Sequence, residues 1–113
     1  MSVAALVTLK PDAQPPEGLP VAGYLPVATE SEFYRYWLPI ATRCDLDVVA
    51  AMGHGISLGP ADLTEADAQL ARLAAEVPVL PAAVAARIVD RVRLLRELLA
   101  LLDGGAVEEI YVG

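Results

Sequence analysis

Apolar and polar positions fall into alternating, continuous and three-to-four-spaced patterns along this chain, and each pattern predicts a different element. Val3 to Leu9 is a short apolar run, too short for a buried helix, and reads as an edge or central strand. Pro11, Pro15, Pro16, Gly18 and Pro20 break every pattern that follows, which makes residues 11–20 a proline-rich loop. A second strand is expected within Val21 to Ala28. Pro26 cannot donate to a ladder, so that strand belongs at a sheet edge or is short. Thr29-Glu30-Ser31-Glu32 has the form of a capping box, in which the hydroxyl accepts the amide three residues on. The helix it opens carries Phe33, Trp37, Ile40 with Ala41, and Cys44 on one stripe. Pro39 lies inside that stripe and removes a backbone donor, so a kink or restart is expected near Leu38.

Leu46 to Ala51 is β-branched and partly alternating and reads as a strand, with Asp47 pointing away from Leu46 and Val48. Gly53-His54-Gly55 offers a turn, and Ile56-Ser57-Leu58 a short arm pairing back. After Gly59-Pro60, Asp62-Leu63-Thr64-Glu65 opens a second helix. Its buried stripe is Leu63, Ala66, Leu70, Leu73, Ala74 and Val77, and Glu65, Asp67, Gln69, Arg72 and Glu76 lie mostly elsewhere on the wheel. A third helix follows Pro81 and runs to about Asp103, with Val84, Ile88, Val92, Leu95, Leu99 and Leu102 inward and Gly104-Gly105 as its stop. Val107 to Val112 alternates as a final strand. The order β-β-α-β-β-α-α-β predicts one α+β domain over residues 1–113. Its small, mostly antiparallel sheet has four to five short strands, with about three helices packed on one face.

Composition alters this picture in two places. The apolar fraction of 56% invites a membrane reading, yet no run of about 18 apolar residues is free of charge or proline. No basic residue precedes the apolar start of the N-terminus, and the lone Cys44 does not suit a disulfide-stapled secreted domain, so a cytoplasmic location is expected. Fifteen acidic against eight basic residues give a net charge of −7, which disfavours nucleic acid and favours a basic protein partner. Arg87, Arg91, Arg93 and Arg96 cluster, but Asp90 and Glu97 are interleaved, as on a solvated helix face.

Catalytic chemistry finds little to build on. His54 and Cys44 are each single, too few for a zinc site, so no metal, cofactor or catalytic residue is expected. Together they form the alternative reading, a small-ligand-binding protein or an enzyme; Cys44, on the apolar stripe, otherwise serves as a small buried hydrophobe. Asp45 and Asp47 would share a face of an extended segment. Neither glycine pair is followed by a phosphate-binding fingerprint.

Four of the six aromatic residues lie in Phe33-Tyr34-Arg35-Tyr36-Trp37, and successive helical residues cannot all face inward. Tyr34, Arg35, Tyr36 and Trp37 are therefore candidate partner anchors, with Glu32, Asp45 and Asp47 supplying negative charge. Phe33-x3-Trp37-x-Pro39-x-Ala41, Gly55-x-x-Leu58 before Asp62-Leu63, and the closing Ile110-x-Val112-Gly113 resemble small acidic bacterial proteins of unassigned activity, some of which are similar to the immunity proteins of toxin systems. The resemblance runs from residue 24 onward and implies a protein that binds and neutralises a basic toxin; its motifs name no binding residue. A homodimer, or a structural subunit of a larger assembly, are further expectations for so apolar a small chain.

Overall fold

Side-chain alternation gives the sheet two unlike faces, and the pairing register decides which residues share each one. The computed structural model describes residues 2–113. Strands β1 (Ser2–Leu9), β2 (Tyr24–Thr29), β3 (Ile56–Leu58) and β4 (Val107–Val112) form a four-stranded antiparallel sheet in the order β2-β1-β4-β3. The two central strands come from opposite ends of the sequence. Ala5 stands opposite Val112, and Val7 opposite Ile110, on the inner face. With Val27, Leu58 and Val107 they join the helical residues in one core cluster. The α+β class and the antiparallel sheet are as the sequence predicts.

The described residues form five α-helical segments: α1 (Glu30–Glu32), α2 (Leu38–Arg43), α3 (Asp47–Ala51), α4 (Leu63–Glu76) and α5 (Ala82–Leu99). Thr29 caps α1 as its sequence predicts, its Oγ1 accepting the Glu32 amide at 3.0 Å. The expected kink at Pro39 is replaced by a π-helical turn, Phe33–Trp37, that joins α1 to α2 without leaving helical backbone angles. The Leu38 amide donates to the Phe33 carbonyl, five residues back, one position before the proline that cannot donate. One extra residue per turn absorbs the missing hydrogen bond.

The segment from Leu46 to Ala51 is a helix, α3, and not a strand. Leu46, Val49 and Met52 are buried at three-residue spacing, a helical period that the β-branched pair Val48-Val49 disguises. Ile56 to Leu58 pairs instead with β4. Within the stretch expected to hold the second strand, β2 begins at Tyr24, because residues Val21–Gly23 form a tight turn with Ala22 at φ 57°. In α5 the α-helix ends at Leu99; a 3-10 stretch, Ala100–Gly104, carries the chain on to Gly105, whose φ of 85° favours glycine.

Gln69 corrects the helical wheel of α4. It is the one buried polar residue among those described, at 5% exposure. Its Oε1 accepts the amides of Val48 and Val49 at 2.8 and 3.2 Å, and its Nε2 donates to Asp47 Oδ1 at 2.7 Å and Glu65 Oε1 at 2.8 Å. All four hydrogen-bonding positions of the amide are thus used. A side chain of α4 caps the short α3, whose N-cap residue, Leu46, has no side-chain acceptor of its own.

Arg96 and Asp67 tie α5 to α4 through two parallel hydrogen bonds, of 2.7 and 3.1 Å. The hydrogen-bonded Arg96 guanidinium holds the Asp67 carboxyl below its usual range, and the carboxylate in turn shifts the guanidinium upward. A depressed acid stabilises the fold above its unfolded value, about 3.9, and loses that contribution as pH falls through the lower folded value. With 42% and 40% of the two side chains exposed, solvent screens the pair. Asp67→Asn should therefore cost no more than about 1 kcal/mol at pH 7. Urea titrations should show that loss shrinking toward zero once the pH lies below both values; a deficit unchanged at pH 2 would exclude the ion pair as its cause.

Candidate interaction surface

The residues expected to meet a partner separate in the structure. Trp37 is 1% exposed and stacks on Phe33 with centroids 6.0 Å apart, so it is a core residue and cannot anchor a partner. Burial follows from the stripe: Phe33 and Trp37 lie four apart on one side of the helix, and both belong to the core cluster with Val27 and Ile88. Tyr34 is exposed, its ring edge-on to Phe33 and its hydroxyl donating to the Gly53 carbonyl at 3.2 Å. Arg35 lies over the half-buried Tyr36 ring, 5.5 Å from its centroid. Glu32 pairs with Arg87 at 3.5 Å.

The acidic pair also divides. Asp45 is exposed at φ 56°, in the turn between α2 and α3, whereas Asp47 sits in the first turn of α3 holding Gln69. They do not line up on an extended segment, because there is no strand there. Asp47 is exposed as well, with one carboxylate oxygen held by Gln69 within the fold.

Cys44 and His54 line none of three grooves formed by the described residues. Cys44 is half-buried at the end of α2, its Sγ donating to Glu76 Oε1 at 3.5 Å, and Glu76 also pairs with Arg43 at 3.2 Å. His54 is exposed in the turn after α3. Among the described residues no three His, Cys, Asp or Glu side chains are grouped to hold a metal ion.

A surface that the sequence reading missed lies on the other face of the sheet. Tyr24 stands opposite Leu6, Leu6 opposite Tyr111, and Tyr111 opposite Ser57, one row across all four strands. Leu6, Tyr24 and Tyr111 are 45%, 43% and 39% exposed. Glu109, two residues from Tyr111 and opposite Thr8, shares that face. The Tyr111 ring is positioned by glycine: Gly55 has a φ of 104°, and a Cβ there would collide with the Tyr111 hydroxyl. The ring lies over the backbone of the Gly53-His54-Gly55 turn, whose first residue holds Tyr34. Alternation in Val107 to Val112 carried the signal for Tyr111. Leu6 gave none, since an unbroken apolar run does not reveal which side is wet.

Comparison with protein-family models, with curated proteins and with solved structures returns no match for this chain. Among the described residues no helix is long and apolar enough to cross a membrane.

Proposed function

We propose that this chain is a non-catalytic, cytoplasmic protein-binding module that engages a basic partner protein through the open face of its sheet. The observation that carries the reading is the cross-strand row Tyr24, Leu6, Tyr111, exposed on the face opposite the core. Tyrosine supplies large contact area with few torsions to freeze and a hydroxyl for the rim, which is why it is enriched at binding hot spots. Glu109 on the same face and the net charge of −7 would attract a basic surface and accelerate encounter. An immunity-type or antitoxin-type inhibitor that occludes a basic toxin is the most concrete form of this reading. Tyr34, bonded to the Gly53 carbonyl, and Arg35, lying over Tyr36, are further exposed side chains open to contact. The alternative built on Cys44 and His54 is less favoured, since the cysteine is engaged by Glu76 and the histidine is exposed in a turn.

The test is capture from the native host with the tagged chain, followed by affinity measurement on the purified pair. Replacing Tyr24 and Tyr111 by Ala should leave the circular dichroism spectrum intact and weaken the complex at least about 30-fold, the loss of one hot spot of about 2 kcal/mol. The association rate should fall with added salt. Recovery of the bare chain alone, or a double variant that holds the same partner equally well, would sink the reading.

A further inference from the structure

A second feature, independent of the sheet face, is a groove of about 220 Å³ between the β2 edge, the aromatic helix and α5. Its walls are apolar, with Val27, Trp37 and Ile88 buried beneath it, and three charged side chains stand on its rim: Glu32, Arg87 and Arg91. Glu32 and Arg87 neutralise each other at 3.5 Å. Arg91, one helical turn beyond Arg87, pairs with no carboxylate among the described residues; its Nη1 reaches only the Pro26 carbonyl, at 3.4 Å.

The chain has nearly twice as many acids as bases, and Arg43, Arg72, Arg93 and Arg96 all have carboxylate partners. Arg35, also without one among the described residues, lies over the Tyr36 ring and lines none of the three grooves. The wider groove between α4 and α5 balances Arg93 and Arg96 with Asp67 and Glu97. A third, near Leu94 and Leu98, has Glu97 as its charged residue. The groove under Arg91 is thus a concavity of net positive charge in a strongly negative protein, and its charge selects an anion where the general field repels one.

We propose that this groove binds a small organic monocarboxylate with an apolar body, the carboxylate on Arg91 and the body against Ile88, Val27 and the edge of Trp37. Size and charge converge on that class. The volume is below the 300–1,000 Å³ typical of drug-sized ligands, which limits the occupant to a small molecule. A planar guanidinium offers two parallel donors to a carboxylate, and Arg91 can turn to it from a single long hydrogen bond. A dianion would lose the match, because one net positive charge is available.

Benzoate is the probe, titrated into the whole chain and followed by backbone amide shifts at Val27, Ala28 and Ile88. Saturable binding is expected, with benzamide, the neutral isostere, and inorganic phosphate, the anion without an apolar body, each at least about tenfold weaker. Arg91→Gln, at an exposed position, should weaken benzoate about tenfold or more, whereas Glu32→Gln should tighten it severalfold by releasing Arg87. Opposite signs from the two variants are what a merely structural role would not give. The proposal is overturned if benzoate shows no saturable shifts up to about 20 mM, if benzamide or phosphate binds as well as benzoate, or if Arg91→Gln binds like the parent chain. Arg91→Gln should still capture the protein partner; loss of both would mean the groove and the sheet face are one site and would refute their independence.

Discussion

Trp37→Ala should destabilise the fold by about 3–5 kcal/mol, the range for truncating a fully buried large aromatic side chain. Trp37 is 1% exposed, stacks on Phe33 and forms part of the wall between the π-helical turn and Ile88. Small domains hold only about 5–15 kcal/mol in all, so this one truncation removes about a fifth of the margin or more. The melting temperature should fall by roughly 10–20 °C. Trp37→Phe keeps a ring against Phe33 and should cost about half as much. Tyr34→Ala, one turn away in the same aromatic cluster, should cost about 1 kcal/mol, since its ring is exposed and its one hydrogen bond ends on a turn carbonyl. Denaturant midpoints for the three variants decide the matter: a Trp37→Ala loss under about 1 kcal/mol would deny this residue its central place in the core.

Gln69→Leu should cost about 2–4 kcal/mol, although it adds an apolar side chain to a buried site. The amides of Val48 and Val49 lose their acceptor, and the carboxylates of Asp47 and Glu65 lose the donor between them. Each buried donor left without a partner costs about 1–3 kcal/mol. Hydrogen exchange should localise the loss, with the Val48 and Val49 amides exchanging faster than those of α5 by more than the global change explains. Gln69→Glu gives a sharper outcome. The new carboxylate still accepts both amides but faces Asp47 and Glu65, and like charges at that distance raise its pKa above the unfolded value. A raised acid opposes folding above its unfolded value and ceases to do so as pH falls, so this variant should recover stability between neutral pH and about pH 4. A pH-independent deficit would mean that Gln69 fills space and does not organise the charges around it.

These two positions show how differently residues of equal weight can be written in a sequence. Trp37 was legible as a stripe residue with Phe33, yet its neighbours made it equally readable as a surface anchor, because period alone assigns a face and not its environment. Gln69 was placed with the polar residues of α4 by its chemistry, though it lies three and four positions from the buried Ala66 and Leu73. Its partners, Val48 and Val49, are about twenty residues away, on a segment whose β-branching reads as strand. Tertiary capping reversed both readings at once. A similar distance in sequence hid the aromatic row, since Leu6, Tyr24 and Tyr111 come from three strands spread over almost the whole chain and meet only through pairing register.

The sequence by itself determined the α+β class, the loop from Pro11 to Pro20, the Thr29 cap, and the buried stripes of the two long helices. It also determined the negative charge, which selects among partners. These are local or additive properties: a dihedral preference, a period of three to four, a sum of ionised groups. Tertiary structure alone decided that Val48 and Val49 would enter a helix, that Pro39 would follow a π-helical turn in place of a kink, and which tyrosines would stay wet. It also left Arg91 over an apolar groove without a carboxylate. Each of those outcomes rests on groups remote in the chain competing for one hydrogen bond, one charge or one packed position, and the winner is set where the elements meet.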